Sequence, residues 1–220
     1  MLINKRMLLL GGSVFLLFLS IFFSLCMFDM EVSLWFSNLF LDKLFIFVLV
    51  PLYLFGCLFI EKHMMISAIV RYEDRTKAEL CRLKRLYGFT VVFVCIWFSL
   101  LMFFTTIKYG GMHGSVIREI YTCFFQYLVG FLLLCNFILI LKRVGNYAIS
   151  SNAHLFVYCY MILEVMVLVP EIEMHTSFSP KFLFSWIFAS EAYSSVILIA
   201  GVLFSLLYYF KVSMRKDMIC

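Results

Sequence analysis

The sequence predicts an all-α, polytopic membrane protein with six transmembrane helices, and three observations support this fold class. Hydrophobic residues make up 65% of the 220-residue chain and charged residues only 14%, whereas soluble domains are about 25% charged. The mean hydropathy is +1.03. Six apolar stretches approach the roughly 20 residues that a helix needs to cross a bilayer. They leave little room for a soluble domain, so residues 1–220 are expected to form a single transmembrane domain.

The predicted spans lie at about 8–28, 44–60, 88–106, 122–141, 154–170 and 194–210. The first follows Lys5 and Arg6 and invites comparison with a signal peptide. Its apolar run is too long for one, however, and no cleavage site of small residues follows. We therefore interpret it as a retained span. Pro51 lies inside the second span, where neighbouring helices can satisfy the carbonyl group that a proline frees.

The distribution of basic residues predicts that both termini are cytosolic. In that orientation, 14 of the 18 Lys and Arg residues lie in cytosolic segments, as the positive-inside rule requires. The outer ones are Lys43, Lys108, Arg118 and Lys181. The net charge of +5 then follows from topology, with some attraction to the anionic head groups of the lipid bilayer. It does not indicate a nucleic-acid partner.

The densest charged segment, IVRYEDRTKAELCRLKRLYG, covers residues 69–88 between spans two and three. No Pro or Gly interrupts residues 61–87, which predicts a helix through this stretch. Leu80, Leu83 and Tyr87 form one apolar stripe at helical spacing. Two interpretations stay open: a solvated basic loop that fixes topology, or a helical element that docks a cytosolic partner. The length of the segment favours the second.

The segment PEIEMHTSFSPKFLFSWIFASEA, residues 170–192, separates spans five and six and has a different character. Ser179 followed by Pro180 is typical of a helix start, with a cap residue and then proline at the first helical position. The apolar run at 182–189 is too short to cross a bilayer. We expect a re-entrant helical segment that enters from the outer side.

Three polar residues inside the predicted spans are candidates for a transport path or a subunit interface. Glu164 is the one acidic residue inside a span, and intramembrane carboxyl groups are costly and often functional. It lies six residues before Pro170, within reach of the outer interface. Gln126 and Asn136 in span four are typical interhelical hydrogen-bonding residues, and we include them as further candidates.

The sequence contains no motif for catalysis or for metal binding. The eight Cys residues form no CxxC pair, and the four His residues have no HExxH spacing. Paired carboxylates and a nucleophile motif are also missing from the sequence. We therefore predict that the chain is not an enzyme, with no catalytic residue, metal site or cofactor of its own.

The arrangement resembles the membrane subunit, or permease, of an ABC-2 type (type V) ABC transporter. The shared features are six spans, a charged helical loop after span two and a re-entrant segment before span six. The run IVRYEDR at residues 69–75 is similar to the IVR-aromatic-x-x-R run at the cytosolic turn of small permeases of this group. Some of these serve bacteriocin or lantibiotic export and immunity. Many relatives have an amphipathic helix before span one, whereas only about seven residues precede the apolar run here.

The resemblance implies a coupling helix that sits in a groove of a separate ABC ATPase subunit, which binds ATP and Mg. The residues implied are Ile69, Val70, Arg71, Tyr72, Glu73, Asp74 and Arg75. This chain has no GxxxxGK[ST] phosphate loop, so hydrolysis by that route belongs to the partner. A second membrane subunit, identical or related, would complete the transporter.

The predicted function is therefore ATP-driven export of an amphipathic peptide or lipid-like substrate across a bacterial cell membrane. Two alternatives stay open. One is the substrate-binding membrane subunit of a small-molecule importer, which is also small and has a similar number of spans. The other is a non-transporting membrane scaffold. The residues themselves do not identify the substrate or the direction of transport.

Overall fold

The computed structural model describes most of the chain after residue 43. The described residues are 44–71, 75–110, 114–168, 182–188 and 193–215, with Gly12, Phe15, Phe18, Leu19, Ile21 and Pro170. All regular structure in these ranges is helical, and they contain no strand. The predicted all-α class is thus confirmed for the described part. The chain divides into two compact units, Met1–Phe124 and Phe125–Cys220, which are taken in turn; the single transmembrane domain stays a prediction.

Six α-helices are described, together with two π-helical segments and one 3₁₀ helix. The α-helices are α1 (Val50–Arg71), α2 (Arg75–Tyr109), α3 (Gly114–Val144), α4 (Tyr147–Ser151), α5 (Ala153–Ile162) and α6 (Ser194–Arg215). The π-helical segments are Phe45–Leu49 and Leu163–Leu168, and the 3₁₀ helix is Ser185–Phe188.

Four of the described helices are long and apolar enough to cross a membrane. Their apolar stretches are Phe45–Lys62, Lys77–Tyr109, Ile120–Val144 and Ser194–Ser213, which contain predicted spans two, three, four and six. Predicted span five corresponds to the shorter apolar stretch Ala153–Leu168. Of predicted span one, five residues are described and all are helical. The fold is therefore that of an all-helical, membrane-embedded protein, and the count of six spans stays a prediction.

Local sequence explains where the first two long helices begin and end. The backbone N–H of Val50 donates to the carbonyl of Phe45, closing a π-helical turn just before Pro51. Proline has no N–H to donate and crowds the preceding turn, so the wider turn accommodates it. At the far end, Gly110 adopts φ 69°, a left-handed conformation that suits glycine, and it donates its N–H to Thr106 O at 3.0 Å.

In the first unit, α1 and α2 form an antiparallel helical hairpin. The hydroxyl oxygens of Tyr53 and Thr90 lie 2.8 Å apart, and Arg82 donates to Glu61 at 2.5 Å. The later residue of α1, Glu61, therefore contacts the earlier residue of α2, Arg82, as expected of antiparallel helices. The chain therefore reverses direction between the end of α1 at Arg71 and the start of α2 at Arg75; this end of the hairpin is called the tip.

The single helix predicted through residues 61–87 is therefore wrong. No Pro or Gly breaks this stretch, but local propensity cannot show where two antiparallel neighbours must reverse. Gly88, the first residue expected to interrupt a helix, lies inside α2. The buried stripe also differs from the predicted one, because Leu80 is 55% exposed whereas Leu83 and Leu86 are buried.

Aromatic side chains fill the core of the first unit. Phe18, from predicted span one, is fully buried. Its ring makes edge-to-face contacts with Phe93 and Trp97, at centroid distances of 5.5 and 4.9 Å. Tyr53 on α1 stacks on Phe89 of α2 at 5.8 Å. Such pairs contribute about 0.5–1.5 kcal/mol beyond their buried area, so they help to bind the helix of span one to the hairpin.

In the second unit, α3 and α6 run parallel. Gln126 Nε2 donates to Ser194 Oγ at 2.7 Å, and Asn136 Nδ2 donates to Ser205 Oγ at 2.9 Å, so both partners advance together. Two parallel helices require the chain to travel back between them. The stretch Ala153–Leu168 lies between them in the chain, and at 1.5 Å per residue it covers about 24 Å of that return.

Candidate functional sites in the two units

A fully buried acidic side chain holds the segment that precedes α6. Glu164 lies in the π-helical segment Leu163–Leu168 and has no exposed surface. Its Oε1 accepts the backbone N–H groups of Phe184 and Ser185, at 2.6 and 2.7 Å. Ser185 begins the 3₁₀ helix. The carboxyl group therefore caps the N-terminus of that helix, where free N–H groups need an acceptor.

The second oxygen of this carboxyl group distinguishes it from an ordinary cap. Among the described residues, Oε2 of Glu164 has no hydrogen-bond partner. The side chain of Tyr160, one turn earlier, interacts with the same carboxyl group both through its charge and as a hydrogen-bonding partner. Carboxyl groups inside apolar stretches are costly and often functional, and π-helical segments such as this one often occur at functional sites. Both features single out Glu164 in the second unit.

The capped segment lies beside the middle of the apolar part of α3. The ring centroids of Phe184 and Phe137 are 5.9 Å apart. A Cβ atom placed on Gly130 would lie 2.5 Å from Ile187 Cδ1, so the segment approaches α3 closely there. These contacts fall near the centre of the apolar stretch Ile120–Val144. The carboxyl group is therefore fully buried within the second unit.

The two polar candidates on α3 both bond to α6. Gln126 bonds to Ser194, and Asn136 donates to the Val202 carbonyl at 3.2 Å as well as to Ser205. These are the interhelical hydrogen bonds expected of polar residues within a span. Their further role in a transport path or subunit interface stays a prediction.

The hairpin of the first unit contains a largely buried ion pair. Glu61 is 5% exposed and Arg82 is 16% exposed. Glu79 lies 3.8 Å from the same guanidinium group, so two carboxylate groups approach the one positive charge of Arg82. The pair lies ten residues before Arg71, the last residue of α1, and the helix continues beyond it for about 15 Å. The hairpin tip therefore extends well past the pair.

The predicted coupling residues lie at this tip. The described ones are Ile69, Val70 and Arg71 at the end of α1 and Arg75 at the start of α2. Tyr72, Glu73 and Asp74 lie outside the described residues. The described members belong to the two long helices, and the separate coupling helix between spans two and three stays a prediction.

Sequence reasoning missed the partners at both sites. Arg82 entered the sequence analysis only as one of the cytosolic basic residues, and Glu61 was not considered. Glu61 lies ten residues before the end of α1 and Arg82 seven residues after the start of α2. Opposite charges on the two sides of a reversal are a usable signal for a hairpin pair. The partners of Glu164 carry no comparable signal, because Phe184 and Ser185 contribute backbone N–H groups that every residue except proline has.

The described part of the chain has no cluster of three His, Cys, Asp or Glu residues that could hold a metal ion. The long apolar helices define the class as a membrane-embedded, all-helical protein. No protein-family model, curated protein or solved structure matches the chain. The resemblance to ABC-2 permeases therefore rests on the features of the sequence alone.

Proposed function

We propose that this chain is the membrane subunit of an ATP-driven exporter and that the tip of the α1–α2 hairpin docks a separate ABC ATPase. The observation that supports the proposal is the hairpin itself. Beyond the Glu61–Arg82 pair, α1 continues for about 15 Å and α2 for about 10 Å, and the two helices present a charged tip. A loop that only fixes topology needs a few Lys or Arg residues, whereas a docking element needs a rigid projection of this kind.

In this proposal the membrane domain has six spans, with a re-entrant segment between the fifth and sixth. Burial of Phe18 against α2 supports a helix at span one. The parallel course of α3 and α6 supports a crossing at span five. The contacts of Phe184 and Ile187 near the middle of α3 support the re-entrant segment.

The proposed substrate is an amphipathic peptide or a lipid-like molecule, as in the export and immunity systems that the sequence resembles. A second membrane subunit, identical or related, forms the other wall of the path in a bacterial cell membrane. The capped segment at Glu164 is the element whose movement would open the path in the second unit, because one carboxyl group holds it through two hydrogen bonds.

Co-purification from native membranes tests the proposal. We expect the tagged chain to bring down a subunit that contains a phosphate-loop motif and hydrolyses ATP. Reversing both basic residues at the tip, Arg71→Glu with Arg75→Glu, should lower the recovered ATPase about tenfold, which corresponds to about 1.4 kcal/mol of binding energy. Lys108→Glu, at the opposite end of α2, is the matched control and should leave recovery unchanged.

The two alternative functions give different results in the same experiment. The capture subunit of an importer would co-purify with a bound small molecule and would retain it after the tip is reversed. A scaffold would bring down neither an ATPase nor a ligand. Full recovery of ATPase by the double reversal would rule out docking through this tip.

A further inference from the structure

Three exposed basic residues lie close together on the described part of the hairpin. Lys62, Lys84 and Arg85 are all exposed. The described residues form no ion pair with any of them. In contrast, Arg82 is largely buried and paired with Glu61. The exposed charges are therefore available to a partner outside the hairpin.

The register of the hairpin brings these three residues to one level. Glu61 contacts Arg82 across the two helices. With antiparallel helices in this register, Lys84 and Arg85 lie within about one turn, or 5 Å, of Lys62 along the helix axis. The three cations therefore form a short belt around the hairpin rather than a scattered set.

Exposed apolar side chains of α1 lie next to this level. Leu58 and Phe55, one and two turns before Lys62, are 44% and 62% exposed, as expected of side chains that face lipid tails. Basic side chains next to such a surface extend their charged ends towards the head groups while their stems cover apolar atoms.

The acidic residues at the same level are turned inward. Glu61 is buried and Glu79 is 13% exposed, and both approach the guanidinium group of Arg82. The described outer surface at this level therefore has three cations and no carboxylate to neutralise them. Each Lys or Arg near an anionic membrane surface strengthens association about fivefold.

We propose that Lys62, Lys84 and Arg85 form a binding belt for the head groups of anionic phospholipids. The chemistry required is a phosphate group without a cation of its own, held where the lipid tails already contact Leu58 and Phe55. The belt lies about 15 Å from the hairpin tip, so this proposal is independent of any ATPase docking there.

Lipid binding to the purified full-length protein in detergent tests the belt. Fluorescent phosphatidylglycerol and fluorescent phosphatidylcholine are titrated against wild type and against the triple variant Lys62→Gln, Lys84→Gln and Arg85→Gln. We expect wild type to prefer phosphatidylglycerol and the preference to weaken as salt screens the charges. The triple variant should bind phosphatidylglycerol about a hundredfold more weakly, since three contributions of about fivefold multiply.

Two further variants control for folding and for general charge. Lys108→Gln removes one charge at the far end of α2 and should leave the preference intact. Lys84→Arg keeps the charge and should also retain it. Equal binding of the two lipids by wild type, or full retention of the preference by a folded triple variant, would overturn the proposal. Competition by inorganic phosphate beyond that of sodium chloride at equal ionic strength would also overturn it, because it would show a site for free anions.

Discussion

Glu164 determines how the segment before α6 is held, because two backbone N–H groups of that segment bond to one of its oxygens. The interaction joins residues 20 positions apart along the chain. In an apolar interior these N–H groups have few other acceptors, so the carboxyl group substitutes for the missing turn of a helix. One side chain therefore couples the π-helical segment to the 3₁₀ helix.

Substitution of Glu164 should separate this capping role from the role of its second oxygen. Glu164→Ala leaves two buried N–H groups without an acceptor, at about 1–3 kcal/mol each. Glu164→Gln retains an oxygen in the same place and should lose much less. Thermal unfolding in detergent, followed by tryptophan fluorescence, measures both. Equal stability of the Ala and Gln variants would show that the cap does not hold the segment.

A transport assay on the assembled exporter then tests the role of Glu164 Oε2. If Oε2 serves the transport path, Glu164→Gln should reduce export while stability and ATPase binding stay close to wild type. A Gln variant with wild-type transport would limit Glu164 to a structural role.

At the scale of the helices, α3 approaches the capped segment closely at Gly130. Gly130→Ala would place a methyl group 2.5 Å from Ile187 Cδ1, and overpacking of this kind costs about 1–3 kcal/mol. Ile187→Ala in the same chain should recover part of that loss. Gly88→Ala is the matched control, because a Cβ there has no atom within 4 Å, and it should be neutral or slightly stabilising. Thermal unfolding measures the stability of each variant. A Gly130→Ala variant as stable as wild type would contradict the close approach.

The hairpin depends on its ion pair in a way that charge exchange can test. Glu61→Gln or Arg82→Gln leaves one charge largely buried and unpaired, which should cost up to about 3 kcal/mol, the low end for buried pairs, because Arg82 is partly exposed. Exchanging the residues, Glu61→Arg with Arg82→Glu, should restore part of the loss. Arg85→Gln, on the exposed surface, should change stability by less than about 0.5 kcal/mol. An exchange variant no more stable than the sum of its single variants would show that the two side chains are not coupled.

The sequence predicts some features of these helices and not others. The apolar runs predict the long helices because each run is buried in a helix or faces lipid. The same patterns cannot place the reversal between Arg71 and Arg75, since helix formers continue on both sides of it. Only the contacts of α1 with α2, such as Tyr53 with Thr90, determine where the chain turns.

The candidate site was predictable in part for a related reason. Glu164 is conspicuous because an acidic residue is rare inside an apolar stretch. Gln126 and Asn136 are conspicuous in the same way, and each bonds to the neighbouring helix. The partners of Glu164 are backbone groups brought close by tertiary folding, and no side-chain pattern identifies them.

Across the whole molecule, the described helices agree with a chain that crosses a membrane several times. Parallel α3 and α6 require a return between them, and α1 and α2 form an antiparallel hairpin. The proposed exporter role uses both features. In this proposal the hairpin tip receives motion from an ATPase, and movement of the segment held by Glu164 opens a path in the second unit.

Site-directed photocrosslinking tests whether the hairpin tip docks an ATPase subunit. A photoreactive amino acid replaces Tyr72 at the tip or Lys108 at the opposite end of α2, and membranes from the native host are illuminated. We expect a crosslink from position 72 to an ATP-binding subunit and none from position 108. We also expect Arg71→Glu with Arg75→Glu to weaken the crosslink about tenfold, or about 1.4 kcal/mol. A tip that crosslinks to no ATPase, or only as well as position 108 does, would show that the tip does not dock one.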